Sequence, residues 1–338
     1  RHNRLGREAD VESVAPATAD FLARAAQGRA DDLLSTTLLV ARVPVLLCPA
    51  MNDRMWSHPQ VQANARQCES LGYGILGPVD GPLAVGEAEG PGRLVEPDVV
   101  VDHVGRLLTV PGPLTGARVL LTSGPTRDPL DPVRNLGNRS SGRMGFALAA
   151  AAWRRGAEVT VISGPTSLAA PTGVELVPVE TAREMTRAVQ ERIGDARLAI
   201  FAAAVADFRP VAEPDGSKRK RDRGRWTVEL TENPDVAAST IPRLPEGAVS
   251  VGFALETDDL VENARAKRRG KGFDLVVANP AGEEGAGFGT VTNRVTLVGE
   301  GDPEPLPLLS KDEVAERILD RVEGLLDARA QPTPEVSA

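Results

Sequence analysis

The feature that most constrains the fold is the stretch of residues 119–145. An apolar run of strand length, residues 119–121, is followed by a long loop rich in Gly, Ser, Thr and Pro. Apolar periodicity resumes only at Met144 and continues through Trp153. This pattern predicts a strand, a polar loop and a helix. In an α/β sheet such a junction lies at the carboxyl end of a strand, where free backbone N–H groups can bind phosphate.

The loop carries side chains that can donate hydrogen bonds to an anion. Asn138, Arg139, Ser140 and Ser141 are such donors, and Gly142 allows a ligand to approach the backbone closely. The loop is longer than an ordinary βα connection. It matches neither the Walker phosphate loop nor the spaced glycines of the dinucleotide fingerprint. The pattern therefore favours phosphate binding over an ordinary βα connection but identifies no particular ligand.

Composition is typical of a globular protein. The 338 residues suggest two domains, and 41% of them are hydrophobic while 25% are charged. A net charge of −8 argues against general nucleic-acid binding. No apolar run approaches the roughly 20 residues that span a bilayer, and the N-terminus lacks the apolar core of a signal peptide. We therefore expect no membrane association and a cytoplasmic location.

The cysteines and histidines do not suggest a metal or disulfide framework. Cys48 and Cys68 are the only cysteines, which is too few for a disulfide-stabilised fold. His2, His58 and His103 have no metal-ligand spacing relative to the cysteines or to each other. We expect no structural zinc site.

Strands alternate with helices along the chain, which predicts an α/β protein with mainly parallel sheets. The Pro-Gly-Pro segment 111–113 separates a domain over residues 1–110 from one over residues 116–326. Residues 327–338 contain two prolines and few apolar side chains, which predicts a disordered tail. The chain begins at Arg1 inside a segment typical of a domain interior, so we expect the first domain to lack its N-terminal part.

Two motifs of the first domain follow predicted strands. The first consists of Ala15, Pro16, Ala17 and Thr18, which place small and hydroxyl groups at a strand's carboxyl edge. The second contains Asn52, flanked by methionines and a tryptophan. An asparagine amide can both donate to and accept from a planar ligand, whereas Met and Trp more often pack in a core. Both interpretations of the second motif remain open.

The second domain carries an acid and two basic segments in places where ligands bind. Residues 198–207 form an apolar run that predicts a buried strand ending in Asp207, either a magnesium or hydroxyl ligand or a simple turn cap. The basic run 216–225 could be a solvated face or a mobile loop that closes over phosphates. The helix dipole alone could explain the cations of 267–271.

Five motifs of the second domain occur in the order found in one enzyme family. They are Gly124-Pro125-Thr126, Asp131-Pro132-Val133-Arg134, Asn138-Arg139-Ser140-Ser141-Gly142, Ala203-Ala204-Val205-Ala206-Asp207 and Asn233-Pro234-Asp235. On these motifs the chain resembles the bifunctional bacterial enzymes of coenzyme A biosynthesis, in which phosphopantothenoylcysteine decarboxylase is fused to phosphopantothenate–cysteine ligase. The ligase half is matched from about residue 116 to residue 326.

The resemblance implies two Rossmann-like domains and a two-step ligation. The carboxylate of 4′-phosphopantothenate would attack the α-phosphate of CTP, with Mg²⁺, to give an acyl-cytidylate and pyrophosphate. The amine of cysteine would then displace CMP. Such a site must gather and neutralise several anions. The resemblance also implies homo-oligomers, with a ligase dimer and trimeric contacts among complete flavoprotein domains.

The resemblance also assigns roles to residues of the ligase. Asn138 corresponds to an asparagine at the acyl-cytidylate, and Arg134 accompanies it. Lys218 corresponds to the first lysine of a mobile loop that stabilises charge at phosphorus. Arg221 replaces the last lysine of that loop, which keeps the positive charge but changes the geometry of the side chain's hydrogen bonds. Asp207 is expected at the ribose or at Mg²⁺. The implied CTP contacts are Gly124, Ala204, Asp207, Lys218, Phe253, Lys267 and Lys271.

The first domain resembles the second half of the flavin-dependent cysteine decarboxylases. Residues 15–18 match the FMN-contacting loop, Asn52 belongs to the substrate motif, and His2 falls at the catalytic histidine. In that family FMN oxidises the cysteine thiol to a thioaldehyde, so that carbon dioxide can leave, and a cysteine then assists reduction of the enethiol.

Two departures from the decarboxylase pattern affect the first domain. Its first strand and flavin-phosphate loop are absent, so we expect weak FMN binding or none unless the domain is complete. Val85 stands where the family has its cysteine, and valine cannot donate a proton. One alternative is therefore a ligase with a non-catalytic first domain. Another is a regulatory flavoprotein, disfavoured by the complete ligase motifs, and a nicotinamide dehydrogenase is disfavoured by the missing glycine fingerprint.

Overall fold

The chain forms two compact units in a computed structural model. The described residues are 2–83, 89–212, 216–218, 225–282 and 289–330. The N-terminal unit comprises residues 1–110 and the C-terminal unit residues 111–338, so that the division falls at the Pro-Gly-Pro segment. No helix in the described ranges is both long and apolar enough to cross a bilayer.

The N-terminal unit is a small α/β structure. Its helices are α1 (His2–Glu8), α2 (Ala19–Gln27), α3 (Leu33–Val40), α4 (Asp53–Trp56), α5 (Pro59–Ser70) and α6 (Pro97–Leu108). Its strands are β1 (Glu12–Ala17), β2 (Val45–Pro49), β3 (Gly74–Ile75), β4 (Val79–Pro82) and β5 (Glu89–Arg93). Within the described residues, β1, β2 and β3 form a parallel sheet in that order. Leu22, Leu47 and Cys68 are completely buried in its core.

Strands β4 and β5 form an antiparallel hairpin where the Gly- and Pro-rich composition of residues 77–92 suggests only a loop. The hairpin is held because the N–H of Met51 donates to the carbonyl of Gly92 at 2.9 Å. A side chain at position 92 would place its Cβ 2.2 Å from the Met51 carbonyl oxygen. Glycine here therefore permits a close backbone approach rather than marking an irregular loop.

The C-terminal unit is built on one large sheet. Its strands are β6 (Arg118–Ser123), β7 (Arg127–Pro129), β8 (Asn135–Gly137), β9 (Glu158–Ser163), β10 (Glu175–Pro178), β11 (Leu198–Phe201), β12 (Phe208–Pro210), β13 (Leu230–Glu232), β14 (Val249–Glu256), β15 (Leu275–Pro280), β16 (Thr292–Asn293), β17 (Thr296–Val298), β18 (Glu304–Pro305) and β19 (Leu309–Ser310). Its α-helices are α7 (Arg143–Arg154), α8 (Ala182–Arg192), α9 (Val236–Thr240), α10 (Leu260–Lys271) and α11 (Lys311–Ala330). Short 3₁₀ segments span Ile193–Asp195 and Ile241–Arg243.

The strand order of the large sheet, over the described residues, is β10-β9-β6-β11-β14-β15-β17-β18. The strands from β10 to β15 pair in parallel, and β17 and β18 add antiparallel pairs at one edge. The predicted α/β class with mainly parallel sheets is thus confirmed. Because parallel strands are covered on both faces, their apolar runs are continuous, and Leu121, Leu198 and Val251 are at most 1% exposed.

Two helices illustrate how local sequence sets the elements. Helix α7 is rich in alanine, and its fully buried Ala149 lets the helix pack closely on the sheet. Helix α8 begins with a capping box: Thr181 Oγ1 accepts from the N–H of Glu184 at 3.2 Å, and Glu184 Oε2 accepts from the N–H of Thr181 at 3.1 Å.

Helix α11 packs along α7, and the two are joined by an arginine with several acidic partners. The Arg155 guanidinium, at the end of α7, contacts Glu316 at 2.8 Å, Asp320 at 2.6 Å and Glu323 at 2.6 Å. The Arg155 side chain is only 15% exposed, so these pairs are less screened than surface pairs. These ion pairs fix α7 and α11 relative to each other.

Two predicted boundaries differ from the structure. Strand β11 ends at Phe201, whereas the apolar run predicts a strand through Asp207. The N–H groups of Ala204 and Ala206 donate instead to Gly124 O at 2.9 Å and Thr126 Oγ1 at 2.8 Å. These bonds hold the segment against the loop after β6, outside the regular ladder.

Helix α11 changes the boundary of the predicted disordered tail. The helix runs through Ala330, so residues 327–330 are helical although the sequence predicts disorder from 327 onwards. Their order follows from Leu326, which is 1% exposed and packs in the main core. Residues 331–338 of the predicted tail lie outside the described ranges.

Candidate active site

Two adjoining cavities lie at the carboxyl edge of the large sheet. The loop cavity, about 470 Å³, is lined by residues 138–145 together with residues of β15, β16 and α11. The α9 cavity, about 380 Å³, is lined by residues 232–237 together with residues of α10. Both cavities are lined by Ala203, Val205, Asp207, Phe253 and Lys267. Open α/β sheets bind ligands at this edge, so the two cavities form one candidate site.

The loop cavity is anchored by the side chain of Asn138. Its Nδ2 donates to the carbonyl oxygen of Val205 at 2.8 Å. A carbonyl accepts only from the nitrogen end of an amide, so this bond sets the amide orientation. It also ties the polar loop to the segment that follows β11. Asn138 itself is exposed and lines the cavity.

Glycines allow the start of α7 to approach the sheet. Gly142 is the N-cap of α7, with φ 78°, and its carbonyl accepts from Ser123 Oγ at 3.1 Å. A Cβ on Gly145 would lie 2.3 Å from Ser123 Oγ. Side chains at this position are therefore excluded, and the backbone of the first turn borders the loop cavity.

The α9 cavity combines paired and buried charges. Asp235 is the N-cap of α9, where its carboxylate accepts from the N–H of Ala238 at 3.0 Å and pairs with Lys271 Nζ at 2.6 Å. Half-buried Lys267 lies between the cavities. Its burial, and then the charge of Lys271, lower the pKa of Lys267. This wall thus carries ammonium groups suited to phosphate.

A buried carboxylate supports the junction between the two cavities. Asp128, 2% exposed, accepts a hydrogen bond from Asn233 Nδ2 at 3.0 Å, and the same nitrogen donates to Ala206 O at 2.9 Å. The N–H of Asn233 donates to the carbonyl of Asp207 at 2.8 Å. Burial raises the pKa of Asp128, although the bond from Asn233 opposes this effect. The network holds Asp207 against the start of α9.

The structure brings most of the predicted nucleotide contacts together. Ala204 lines the loop cavity, Lys271 lines the α9 cavity, and Asp207, Phe253 and Lys267 line both. Gly124 does not line either cavity, but its carbonyl supports Ala204, as described above.

Two other predicted residues lie outside these walls. Lys218 is exposed and lines neither cavity, and Arg221 lies outside the described residues. Arg134, expected to accompany Asn138, lines neither cavity in this chain. Its guanidinium pairs with the buried carboxylate of Asp131 at 2.6 Å and lies over the Trp226 ring, 5.5 Å from the centroid.

Three residues that line the loop cavity were not predicted from the sequence as site residues. Lys311, Asn279 and Asn293 line the loop cavity, although they follow the polar loop by more than a hundred residues. Asn279 Oδ1 is buried with no hydrogen-bond partner among the described residues, so it can accept from a ligand. Only the fold brings these side chains together. Asn233 and Asp235, by contrast, lie in the motif Asn233-Pro234-Asp235, from which the sequence could indicate their place in the site.

The only residue predicted from the sequence to bind Mg²⁺ is Asp207. Asp207 is exposed at the junction of the cavities. Within the described ranges, no three His, Cys, Asp or Glu residues are grouped as a ready metal site. Mg²⁺ characteristically uses one or two carboxylates, with waters and substrate phosphates as its other ligands. The arrangement therefore fits a magnesium ion that arrives with a nucleotide.

The N-terminal unit presents its two motifs at one sheet edge. Residues 15–18 end β1, and Asn52 follows β2; Ala17 and Pro49 are register partners in these parallel strands. Thr18 Oγ1 accepts from the N–H of Phe21 at 3.2 Å, as the N-cap of α2. The hydroxyl hydrogen remains available for donation to a ligand.

The second motif is placed in the same way. Asn52 Oδ1 accepts from the N–H of Arg54 at 3.0 Å, at the N-cap of α4. Ala15 and Pro16 are exposed on β1. His2 is the first residue of α1, and its side chain, like Val85, lies outside what the structure describes.

Family models match both units. Residues 1–109 match the family described as Flavoprotein, and residues 114–325 match the DNA/pantothenate metabolism flavoprotein C-terminal domain. Two similar proteins are named coenzyme A biosynthesis bifunctional protein CoaBC. The one from Vibrio cholerae is 42% identical, covering 94% of this chain and 79% of that protein. The one from Mycobacterium bovis is 44% identical, covering 95% of this chain and 80% of that protein.

A solved structure is similar in the C-terminal unit. The crystal structure of the C-terminal domain of a coenzyme A biosynthesis bifunctional protein CoaBC has 37% sequence identity and a TM-score of 0.54. The match covers 64% of this chain and 99% of that chain. Together with the two cavities and the order of their motifs, these similarities show that the chain belongs to the family of bifunctional coenzyme A biosynthesis proteins that joins a flavoprotein domain to a pantothenate-metabolism ligase domain.

Proposed function

We propose that the C-terminal unit ligates 4′-phosphopantothenate to cysteine at the expense of CTP. The observation that carries this proposal is the pair of adjoining cavities. Five of the residues expected to contact CTP line them, and Asn138 lies on the wall of one. A ligase of this kind needs two neighbouring pockets, one for a nucleoside triphosphate and one for the acid that it activates.

The chemistry explains the charges of the site. A carboxylate becomes reactive when it is converted into a mixed anhydride with phosphate, so its oxygen must attack the α-phosphate of CTP while pyrophosphate leaves. Attack of one anion on another requires nearby cations. Lys267 and Lys271 supply ammonium groups on the nucleotide side, and Lys218 would add a third from its exposed segment. The cysteine amine then attacks the acyl carbon, and CMP leaves.

The arrangement suggests how the substrates divide the site. CTP would place its nucleoside in the α9 cavity and its phosphates near the shared residues Asp207, Phe253 and Lys267. Phosphopantothenate would occupy the loop cavity, with its carboxylate towards the same residues. Asn138 would donate to or accept from the acyl-cytidylate at this junction. Asp207 would hold Mg²⁺, which neutralises phosphate charge.

For the N-terminal unit we propose a flavin site at the edge formed by residues 15–18 and Asn52. The neutral hydroxyl and amide groups there fit the edge of a planar flavin. FMN would supply the oxidation of a cysteine thiol that permits decarboxylation of 4′-phosphopantothenoylcysteine, with Thr18 and Asn52 orienting the bound groups. The sequence predicts that binding is weak, so the purified chain is titrated with FMN up to millimolar concentration and monitored by flavin fluorescence; fluorescence that follows free FMN throughout would contradict the proposal.

We further propose a homo-oligomeric protein of the cytoplasm, with a dimer of the ligase unit and trimeric contacts in the flavoprotein unit. A partner copy would account for Arg134, which lines neither cavity of its own chain and could reach the partner's site. Light scattering of the purified chain tests the assembly, and a monomer with full ligase activity would contradict it.

The deciding experiment measures pyrophosphate release by the purified chain with 4′-phosphopantothenate, CTP and Mg²⁺. We expect release only when all three are present, and loss of about a hundredfold or more in Asn138→Asp and Lys218→Gln. Arg118→Gln is the matched control, since Arg118 is an exposed cation at the amino end of β6. No release by the folded wild-type chain would overturn the proposal.

A further inference from the structure

A buried threonine supports the segment that follows β11. Thr126 lies in the loop after β6, is fully buried, and lines neither cavity. Its Oγ1 accepts from the N–H of Ala206 at 2.8 Å. Ala206 is only 4% exposed, and a buried N–H needs an acceptor. The hydroxyl oxygen of Thr126 is thus the acceptor that satisfies this N–H.

The backbone carbonyl of Thr126 is not in place to accept this bond. The N–H of Ala204 donates to the carbonyl of Gly124 at 2.9 Å. Two residues further along both segments, the same parallel pattern would pair the N–H of Ala206 with the carbonyl of Thr126. That carbonyl instead lies against Gly137, where an added Cβ would be 2.5 Å from its oxygen. The side chain of Thr126 therefore replaces the missing backbone acceptor.

The bond from Ala206 also fixes the direction of a carbonyl group. The N–H of Ala206 and the C=O of Val205 belong to one planar peptide group and point in opposite directions. The carbonyl of Val205 accepts from Asn138 Nδ2 at 2.8 Å. A single peptide group therefore connects the threonine hydroxyl to the asparagine amide. Hydrogen bonds in such a chain strengthen one another.

Thr126 is connected to Asn138 through the backbone as well. Arg127 and Gly137 are register partners in the antiparallel pair of β7 and β8. Gly137 immediately precedes Asn138, and the missing side chain at Gly137 permits the close approach of the Thr126 carbonyl. Thr126 thus helps to place both the backbone of Asn138 and the carbonyl that binds its amide.

We propose that Thr126 is a positioning residue that holds the Asn138 amide in the orientation that the acyl-cytidylate requires. The inference rests on the proposed function and adds to it a residue that touches no substrate. An asparagine amide has a donor end and an acceptor end, so a rotated amide presents the wrong group to the reacting acyl carbon. Thr126 therefore contributes to the chemical step and not to substrate affinity.

Steady-state kinetics of pyrophosphate release by the full chain test this role. Thr126→Val keeps the branched shape but removes the acceptor, and we expect kcat to fall about 10- to 100-fold. The KM values for CTP and 4′-phosphopantothenate should change less than about twofold. Thr126→Ser keeps the hydroxyl and should retain most of the wild-type kcat. Thr186→Val is the matched control, because it removes a buried hydroxyl from α8 and should leave kcat unchanged.

Two further measurements separate positioning from a general loss of structure. In Asn138→Ala, which lacks the amide, adding Thr126→Val should lower the residual kcat less than about twofold. Amide hydrogen exchange gives a readout that does not depend on activity: Ala206 should exchange faster in Thr126→Val than in the wild type or Thr126→Ser. If Thr126→Val does not fold, Thr126→Ser is compared with Thr126→Ala, since these two variants differ only in the hydroxyl.

The inference is overturned if a folded Thr126→Val retains the wild-type kcat, or if Thr126→Ser loses as much activity as Thr126→Val. It is equally overturned if the losses from Asn138→Ala and Thr126→Val multiply, because the threonine then acts independently of Asn138. The absence of pyrophosphate release by the folded wild type contradicts the proposed function itself. Normal release by the wild type together with any of the other three results contradicts only the role of Thr126.

Discussion

The carboxyl edges of the two sheets use the same structural device with different charges. In the N-terminal unit, Thr18 and Asn52 cap helices with neutral side chains at the ends of β1 and β2. In the C-terminal unit, Asp235 caps α9 with a carboxylate and pairs with Lys271 at 2.6 Å. Parallel strands determine where a ligand can bind, and the side chains placed there determine which ligand it is.

The difference supports the proposal that one edge binds a triphosphate and the other the ring of a flavin. Phosphates need compensating charge, which Lys267 and Lys271 would supply from the cavity walls. A flavin ring needs contact area and a few hydrogen bonds. Two α/β units with parallel strands can therefore serve two chemical steps of one biosynthetic route when different side chains lie at their strand ends.

The largest effect should come from adding a side chain at Gly145, where the first turn of α7 lies against Ser123 at the end of β6. Gly145→Val adds a Cβ that would lie 2.3 Å from Ser123 Oγ, so the first turn of α7 must move. We expect pyrophosphate release to fall about a hundredfold, with FMN affinity of the other unit unchanged. Gly194→Ala is the control, since nothing lies within 4 Å of a Cβ there. Equal activity of Gly145→Val and wild type would contradict the described packing.

The comparison can be sharpened on the flavoprotein side with Val85→Cys. The resemblance implies that Val85 occupies the position of the decarboxylase family's cysteine, so a thiol there should restore proton donation. General acid catalysis contributes about 10²- to 10⁴-fold, and we expect release of 4′-phosphopantetheine to rise at least tenfold when FMN is bound. Carbon dioxide release and product are followed by mass spectrometry. Val79→Cys, on an exposed valine of β4, should have no effect, and a silent Val85→Cys would argue for a non-catalytic domain.

A smaller effect should follow from loss of the buried carboxylate at the cavity junction. Asp128→Ala leaves Asn233 without one of its acceptors, so Asp207 and Asp235 lose their fixed spacing. We expect the KM for CTP to rise about tenfold and kcat to change less, because Asp128 positions other residues and does not contact the reacting atoms. Asp195→Ala, at a carboxylate that is 76% exposed, provides the matched control. An unchanged KM would show that the hydrogen bond between Asn233 and Asp128 does not position the residues that bind CTP.

The smallest effect should appear in the pH profile. Burial and Lys271 lower the pKa of Lys267, while Glu256, Asp235 and Asp207 oppose this shift. The ammonium is fully charged below the lowered pKa, so the KM for CTP should rise severalfold as pH increases through it. This rise should begin below the pH at which an ordinary lysine titrates. In Lys267→Arg the guanidinium stays charged, and the rise should move to higher pH; identical profiles would contradict the assignment.

Sequence periodicity predicted much of the architecture because it depends on neighbouring residues. The strand before the polar loop and the helix after it, β6 and α7, could be read locally. The hairpin of β4 and β5 could not, since Gly92 is required by an approach to Met51, about forty residues earlier in the chain. Predictions from local pattern fail where a distant backbone segment decides the conformation.

The residues of the candidate site were likewise predicted where they lie in a local motif and missed where only the fold brings them to the cavity. Asn138 and Asp207 were recognised because they lie in contiguous motifs at strand ends. Lys311 was missed because, in the sequence, it is only a basic residue at the start of an amphipathic helix. Its burial depends on the packing of α11 beside α7, which no local pattern specifies. Arg134 pairs with Asp131 and lines neither cavity of its own chain, so the site role that its motif suggests stays a prediction.

The arginine that joins α7 to α11 has a mechanical consequence. Arg155 binds three carboxylates of α11, while both helices begin at the wall of the loop cavity. The two helices are thereby coupled as a single stiff body rather than two independent rods. Occupancy of the cavity should then slow amide hydrogen exchange along the whole length of both helices, so that the far end of α7 reports whether the acid substrate is bound.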